Sequence, residues 1–165
     1  MEAAGRVSVV VMQSLPLLQQ REIEAAVLAP VVRAFAAEVG LERAKEILAG
    51  VIRGLAKQAG CHAAQAAGGT TLAHLKPVVE RWRTGGALEL TILRDDPEAF
   101  EFDVTRCQFA EMYRRLGLEE FGAILSCDRD AAMIEGFDPA IAFTRTQTIL
   151  GGATHCDFRY RQAGG

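Results

Sequence analysis

The sequence predicts an α+β domain, with an N-terminal helical layer packed on a mainly antiparallel sheet of about four strands. Three observations predict it. Through the first 83 residues, apolar side chains recur at helical spacing. After Gly85-Gly86 they alternate with polar ones, the period of a strand. The chain of 165 residues has the length of one domain and can bury a core. Residues 1–165 are therefore expected to form a single domain, with loose ends at about 1–6 and 162–165.

The first helix is expected over residues 17–39. Ile23, Val27, Val31 and Phe35 recur every four residues and share a face. Pro30 removes a backbone donor and should kink or split this helix. Gly40 ends it. A second helix covers residues 41–67, with Ile47, Val51 and Leu55 as its apolar stripe, and Gly68-Gly69 breaks it. A third covers residues 71–83, with Pro77 a weak point and Trp82 closing its apolar side.

The period then changes to two. Leu88, Leu90 and Ile92 alternate along one run, and Phe100, Phe102 and Val104 along the next. Asp95-Asp96-Pro97 is a turn signal between them. These runs predict a hairpin of residues 87–94 and 99–106. A helix follows over residues 107–116, presenting Phe109, Met112, Tyr113 and Leu116, and Gly117 stops it. A short helix starts near Glu119 and another follows Cys127, ending at Gly136. A second hairpin closes the chain, with strands at 140–150 and 154–161 joined at Gly151-Gly152.

Charge and composition narrow the function. The net charge of −3 leaves no broad basic field for nucleic acid or anionic lipid. No run approaches the roughly 18 apolar residues of a membrane span. Residues 7–12 are apolar, but the run is short and no small-residue cleavage site closes it. A cytoplasmic protein is the expectation. Cys61, Cys107, Cys127 and Cys156 are then expected to be free thiols. The apolar, alanine-rich helices suit close packing and admit a homo-oligomer.

The residues able to do chemistry fall between Cys107 and Tyr160. Cys107 sits where strand gives way to helix, and a helix N-terminus lowers a thiol pKa. Arg106 adds positive charge beside it. Cys127 sits at a similar junction and shares a helix face with Asp130, three residues on. That pair suits a nucleophile with a proton acceptor. Two bland readings stand beside these. Free cysteines are often small core residues, and Asp128 and Asp130 can simply cap a helix.

On the last strand, Cys156, Phe158 and Tyr160 share one face, while His155, Asp157 and Arg159 share the other. His155 is therefore badly placed to activate Cys156. Arg145 alternates with Ile141, Phe143, Gln147 and Ile149 on an apolar face and needs a partner. That partner is Asp130 or Asp157 inside the protein, or the carboxylate of a substrate. No Cys or His spacing matches a zinc site, and neither Gly-Gly pair matches a phosphate loop. Neither metal nor other cofactor is expected.

The order of these landmarks resembles a known family. Cys107-Gln108-Phe109 is followed by Arg115-Leu116-Gly117-Leu118-Glu119-Glu120-Phe121-Gly122, then by Cys127 and Asp130. Gly136-Phe137-Asp138-Pro139, Ile141-Ala142-Phe143-Thr144-Arg145-Thr146 and Gly152 come next. Cys156-Asp157-Phe158-Arg159-Tyr160 completes the set, and Arg21-Glu22-Ile23-Glu24 opens it. Over most of its length the chain resembles the L-2-amino-thiazoline-4-carboxylic acid hydrolase family. The resemblance implies ring-opening hydrolysis of a small carboxylate-bearing heterocycle, of thiazoline, cyclic amidine or imide type, in small-molecule catabolism. It implies catalytic roles among Cys127, Asp130, Cys107, Cys156 and Asp157, with Cys127 the favoured nucleophile. It implies substrate binding by Arg145, Phe143, Phe158 and Tyr160. A looser likeness to ligand-binding domains of the 4-vinyl-reductase type carries the alternative of a sensor without catalysis.

Overall fold

The computed structural model describes residues 15–162. The expectations for residues 1–6 and 7–12 lie outside them. Gln162, expected at a loose end, closes the last strand and donates its N–H to the Glu98 carbonyl.

The described residues open with three helices: α1 (Leu17–Val39), α2 (Leu41–Ala67) and α3 (Leu72–Trp82). A single residue joins α1 to α2. Gly40 has φ +86°, a backbone shape that side chains with a Cβ rarely adopt. It reverses the chain without a loop. α1 is not split at Pro30. The proline and Ala26, whose carbonyl loses its partner, are both exposed, so water can satisfy that carbonyl. Pro77 is likewise exposed within an unbroken α3.

The expected apolar stripes of α1 and α2 face away from the core. Val27, Val31 and Phe35 are exposed, and so are Ile47, Val51 and Leu55. The buried positions are Ala25, Ala29 and Val32 on α1, and Ala44, Leu48, Ala49, Ile52, Ala56 and Gly60 on α2. Close packing selects the small residues among them. A Cβ on Gly60 would collide with the Met133 carbonyl, and one on Gly136 with the Lys57 carbonyl. Backbone thus meets backbone where α2 crosses the late helix that carries Gly136.

The first hairpin forms as expected, as β1 (Leu88–Asp95) and β2 (Ala99–Cys107). The Asp96 carboxylate accepts N–H bonds from Glu98 and Ala99 and sets the turn. Then come α4 (Gln108–Arg115) and α5 (Glu119–Gly122). The expected break before Cys127 is absent. Ala123–Cys127 forms a wide π-helical turn, in which the Asp128 N–H reaches back five residues to the Ala123 carbonyl. The chain runs on without a break into α6 (Asp128–Phe137).

The second hairpin is shorter than expected. β3 (Ile141–Thr144) and β4 (Cys156–Gln162) pair antiparallel, but residues 145–155 form a loop. The Asp157 carboxylate explains the early end of β3. It accepts the Thr146 and Gln147 N–H groups and the Thr146 hydroxyl, drawing that backbone out of the ladder.

The four strands run in the order β1-β2-β4-β3, each pair antiparallel. β2 and β4 align Phe100 with Tyr160, Phe102 with Phe158, and Val104 with Cys156. These six are buried on one face of the sheet and join the helices in a common core.

Candidate functional site

The candidate site lies between the buried face of the sheet and the start of α6. Arg145 reaches it from the loop after β3. Its guanidinium pairs with the Asp130 carboxylate and donates to the Cys127 carbonyl at 3.0 Å. It also sits over two aromatic rings, 5.9 Å from the centre of Phe143 and 5.4 Å from that of Phe158. Those rings belong to a larger group. Phe143 stacks on Tyr160 at 4.9 Å, and Phe158 on Phe102 at 5.0 Å.

Three thiols surround the ion pair. Cys107 caps the start of α4, Cys127 ends the π-turn, and Cys156 opens β4. The Cys156 sulfur accepts the Ile149 N–H at 3.2 Å. Cys127 lies within the field of Asp130, Arg145, Cys107 and Cys156 together. All four cysteines of the chain are unpaired, and Cys61 is exposed, outside this group.

The electrostatics favour neutral thiols. Burial pushes Cys127 up to about 12, and the nearby Asp130 charge adds to the effect. Burial pushes Cys107 up to about 11, although the Ala110 and Phe109 N–H groups oppose it. The thiolate expected at a helix start is therefore not favoured at Cys107, because desolvation exceeds the pull of two amides. At Cys127 the expected helix start does not exist. Cys156 is also raised, mainly by burial.

Asp130 is raised to about 6 by burial, with Arg145 pulling the other way. Arg145 is itself raised: burial lowers it, but Asp130 and Cys127 outweigh that. Near Asp130 and Arg145, the Tyr160 hydroxyl is fully buried and has no hydrogen-bond partner among the described residues. Both charges act on it.

The structure thus gathers Cys107, Cys127, Cys156, Asp130, Arg145, Phe143, Phe158 and Tyr160. It does not add Asp157 as a free proton carrier. That carboxylate holds the loop after β3, and those bonds keep it below its ordinary pKa despite some burial. His155 contacts Gln147 and lies 3.7 Å from Asp103. Among the described residues, no group of three His, Cys, Asp or Glu side chains is placed to hold a metal ion. No described helix is long and apolar enough to cross a membrane. A groove of about 360 Å³ opens beside Arg145, lined by Thr146, Gln147, Thr148, Gly151 and Ala153.

Sequence reasoning missed a second ion centre on the other side of the π-turn. Arg21 and Arg129 both bind the Glu24 carboxylate, at 2.6 and 3.1 Å. Arg129 also donates to the Leu125 carbonyl at 2.7 Å. The buried Tyr113 hydroxyl contacts the Ser126 hydroxyl at 3.2 Å and lies in the field of all three charges. Arg21 three residues before Glu24 was the readable signal, since that spacing places them on one helix face. Nothing local tied either to Arg129.

Fold and site define a small α+β domain that holds a half-buried ion pair and three thiols between its sheet and its helices. The chain belongs to the L-2-amino-thiazoline-4-carboxylic acid hydrolase family, whose sequence profile matches residues 20–160. No curated protein matches it. Among solved structures, it is similar to the phenol-responsive sensory domain of the transcription activator PoxR, crystallised with phenol. The TM-score is 0.52 at 16% identity, over 84% of this chain and 74% of that one. At this identity the likeness is one of fold.

Proposed function

We propose that the protein hydrolyses the ring of a small carboxylate-bearing heterocycle, of thiazoline, cyclic amidine or imide type, at the Asp130–Arg145 centre. One observation carries this reading: a half-buried carboxylate–guanidinium pair lies beside three thiols, two half-buried and one buried, in a member of a hydrolase family.

In this mechanism the substrate enters by the groove beside Arg145. Its carboxylate replaces Asp130 on the guanidinium, whose planar fork suits such an exchange. Arg145 holds the Asp130 pKa down, so losing that partner makes the carboxylate a stronger proton acceptor. The Cys127 thiol passes its proton to Asp130 as the sulfur bonds to the carbon between the ring heteroatoms. The bond from that carbon to one ring heteroatom breaks, and the departing atom takes the proton from Asp130. Water attacks the same carbon, and the bond to Cys127 breaks. One proton of the water returns to the sulfur and the other stays with the product. One water is thereby added across one ring bond.

Incubation with a panel of thiazoline carboxylates, cyclic amidines and imides, followed by mass spectrometry, tests the reading. A gain of one water mass on any ring supports it. If folded Cys107→Ala, Cys127→Ala and Cys156→Ala variants all keep full turnover, the covalent step is wrong and water attacks directly. A second reading, a ligand-binding domain without catalysis, has its own support. Arg145 is already neutralised by Asp130, and the thiols are held protonated. Saturable binding with no mass change on the ligand would favour it.

A further inference from the structure

Among the described residues, nine of the eleven exposed large apolar side chains lie on α1 and α2. Val27, Val31 and Phe35 on α1 are 61, 59 and 43% exposed, and Ile47, Val51 and Leu55 on α2 are 39, 55 and 49% exposed. Single exposed apolar residues need no explanation, but two stripes at four-residue spacing do. The core does not require them, since α1 and α2 bury alanines and a separate Leu48–Ile52 stripe instead.

The glycines of α2 point outward as well. Gly50 and Gly54 flank Val51 on the exposed side, and a Cβ at either would meet nothing within 4 Å. A glycine inside a helix weakens it relative to alanine. Inside the molecule the same device has a visible use, where Gly60 and Gly136 let α2 and α6 touch backbone to backbone. Gly50 and Gly54 offer a similar approach, with no helix opposite them among the described residues.

We propose that two copies of the chain associate through the outer stripes of α1 and α2, forming a symmetric dimer around a four-helix interface. The area agrees with this. Taking about 170 Å² for a fully exposed residue of this size, the nine side chains offer on the order of 700 Å² per copy, against the ~800 Å² per partner of a standard stable interface. The occupant follows from closure. A helical hairpin whose outer face is apolar needs another layer, and a copy related by a two-fold axis supplies it while covering its own face too.

Sedimentation of the full chain at tens of micromolar tests the proposal. The expected mass is twice the 17.8 kDa of one chain. Val27→Glu combined with Val51→Glu should give the single-chain mass with unchanged helical circular dichroism, because both positions are exposed. Gly54→Ala sharpens the test. The monomer fold should become more stable while the dimer dissociation constant rises at least tenfold, a combination that a purely structural role would not produce. A single-chain mass for the unsubstituted protein would overturn the proposal. So would a dimer that survives the double Glu substitution. If the protein is a monomer and dimerises only after residues 1–14 are removed, the face belongs to its own N-terminal segment and the proposal is also wrong.

Discussion

Arg129 and Asp130 are neighbours in sequence, yet they belong to two different ion centres. Arg129 turns toward α1, where it and Arg21 share the single carboxylate of Glu24. Asp130 turns toward the sheet, where it meets Arg145 alone. The first centre ties α1 to α6: its arginines donate to Glu24 and the Leu125 carbonyl, and the Tyr113 hydroxyl beside it meets Ser126. The second is left incomplete. Three neutral thiols surround it, and the Tyr160 hydroxyl near it finds no partner among the described residues. A buried polar group without a partner costs stability, so its persistence needs another reason. The Glu24 cluster ties helices together, whereas the Asp130 cluster keeps an unsatisfied hydroxyl beside it, as the proposed ligand site requires.

The comparison is open to experiment. Asp130→Asn should lower turnover per folded molecule by at least ~1000-fold, since the proton acceptor of the mechanism is gone. Single-turnover assays of the purified variant on a ring substrate would measure this. Turnover within tenfold of the parent would remove Asp130 from the chemistry. Glu24→Gln should do the reverse. It leaves two half-buried arginines without their carboxylate and should lower stability by about 3 kcal/mol in urea unfolding, with turnover per folded molecule unchanged.

Acid titration should separate the centres in a third way. In the folded protein, burial keeps Asp130 protonated up to about pH 6, whereas an unfolded aspartate releases its proton near 4. Between these values the folded state binds more protons. Stability should therefore fall as pH rises from about 4 to about 6, by about 2 kcal/mol. That fall should be absent in Asp130→Asn and retained in Glu24→Gln. The smallest effect is expected from Tyr160→Phe. Removing an unpartnered hydroxyl should leave stability unchanged or slightly higher, while ligand affinity weakens by about tenfold, the worth of one hydrogen bond. Unchanged affinity on calorimetry would show that the hydroxyl does not face the ligand.

Much of the architecture was legible in the sequence, because period and punctuation act locally. The bounds of α1 and α2 follow from Gly40 and Gly68, and the first hairpin from Asp96. Which face of a helix is buried was not legible. Valine and phenylalanine suggest a core by their hydrophobicity, but α1 buries mainly alanine, and α2 meets α6 backbone to backbone at Gly60. β3 was drawn too long because the carboxylate that stops it, Asp157, lies eleven residues after Thr146. The members of the site were readable as a set, since most lie on the buried face of β4 or near Cys127. Their charge states were not. The pKa of Cys127 depends on how deeply it is covered, and no spacing encodes that.

The π-turn has a consequence for how this protein can vary. Ser126 and Cys127 are adjacent, yet one side chain meets Tyr113 and the other residue meets Arg145. A helix advances about 100° per residue, so the added residue of a wide turn sets how α5 is rotated relative to α6. Both ion centres draw on that turn, Arg129 bonding the Leu125 carbonyl and Arg145 the Cys127 carbonyl. Single substitutions in Ala123–Cys127 alter one side chain at a time, whereas loss of one residue would turn everything before it by a quarter revolution or more. The segment is therefore constrained by its length more than by its composition, and relatives that share this site should differ there by replacement and not by insertion or deletion.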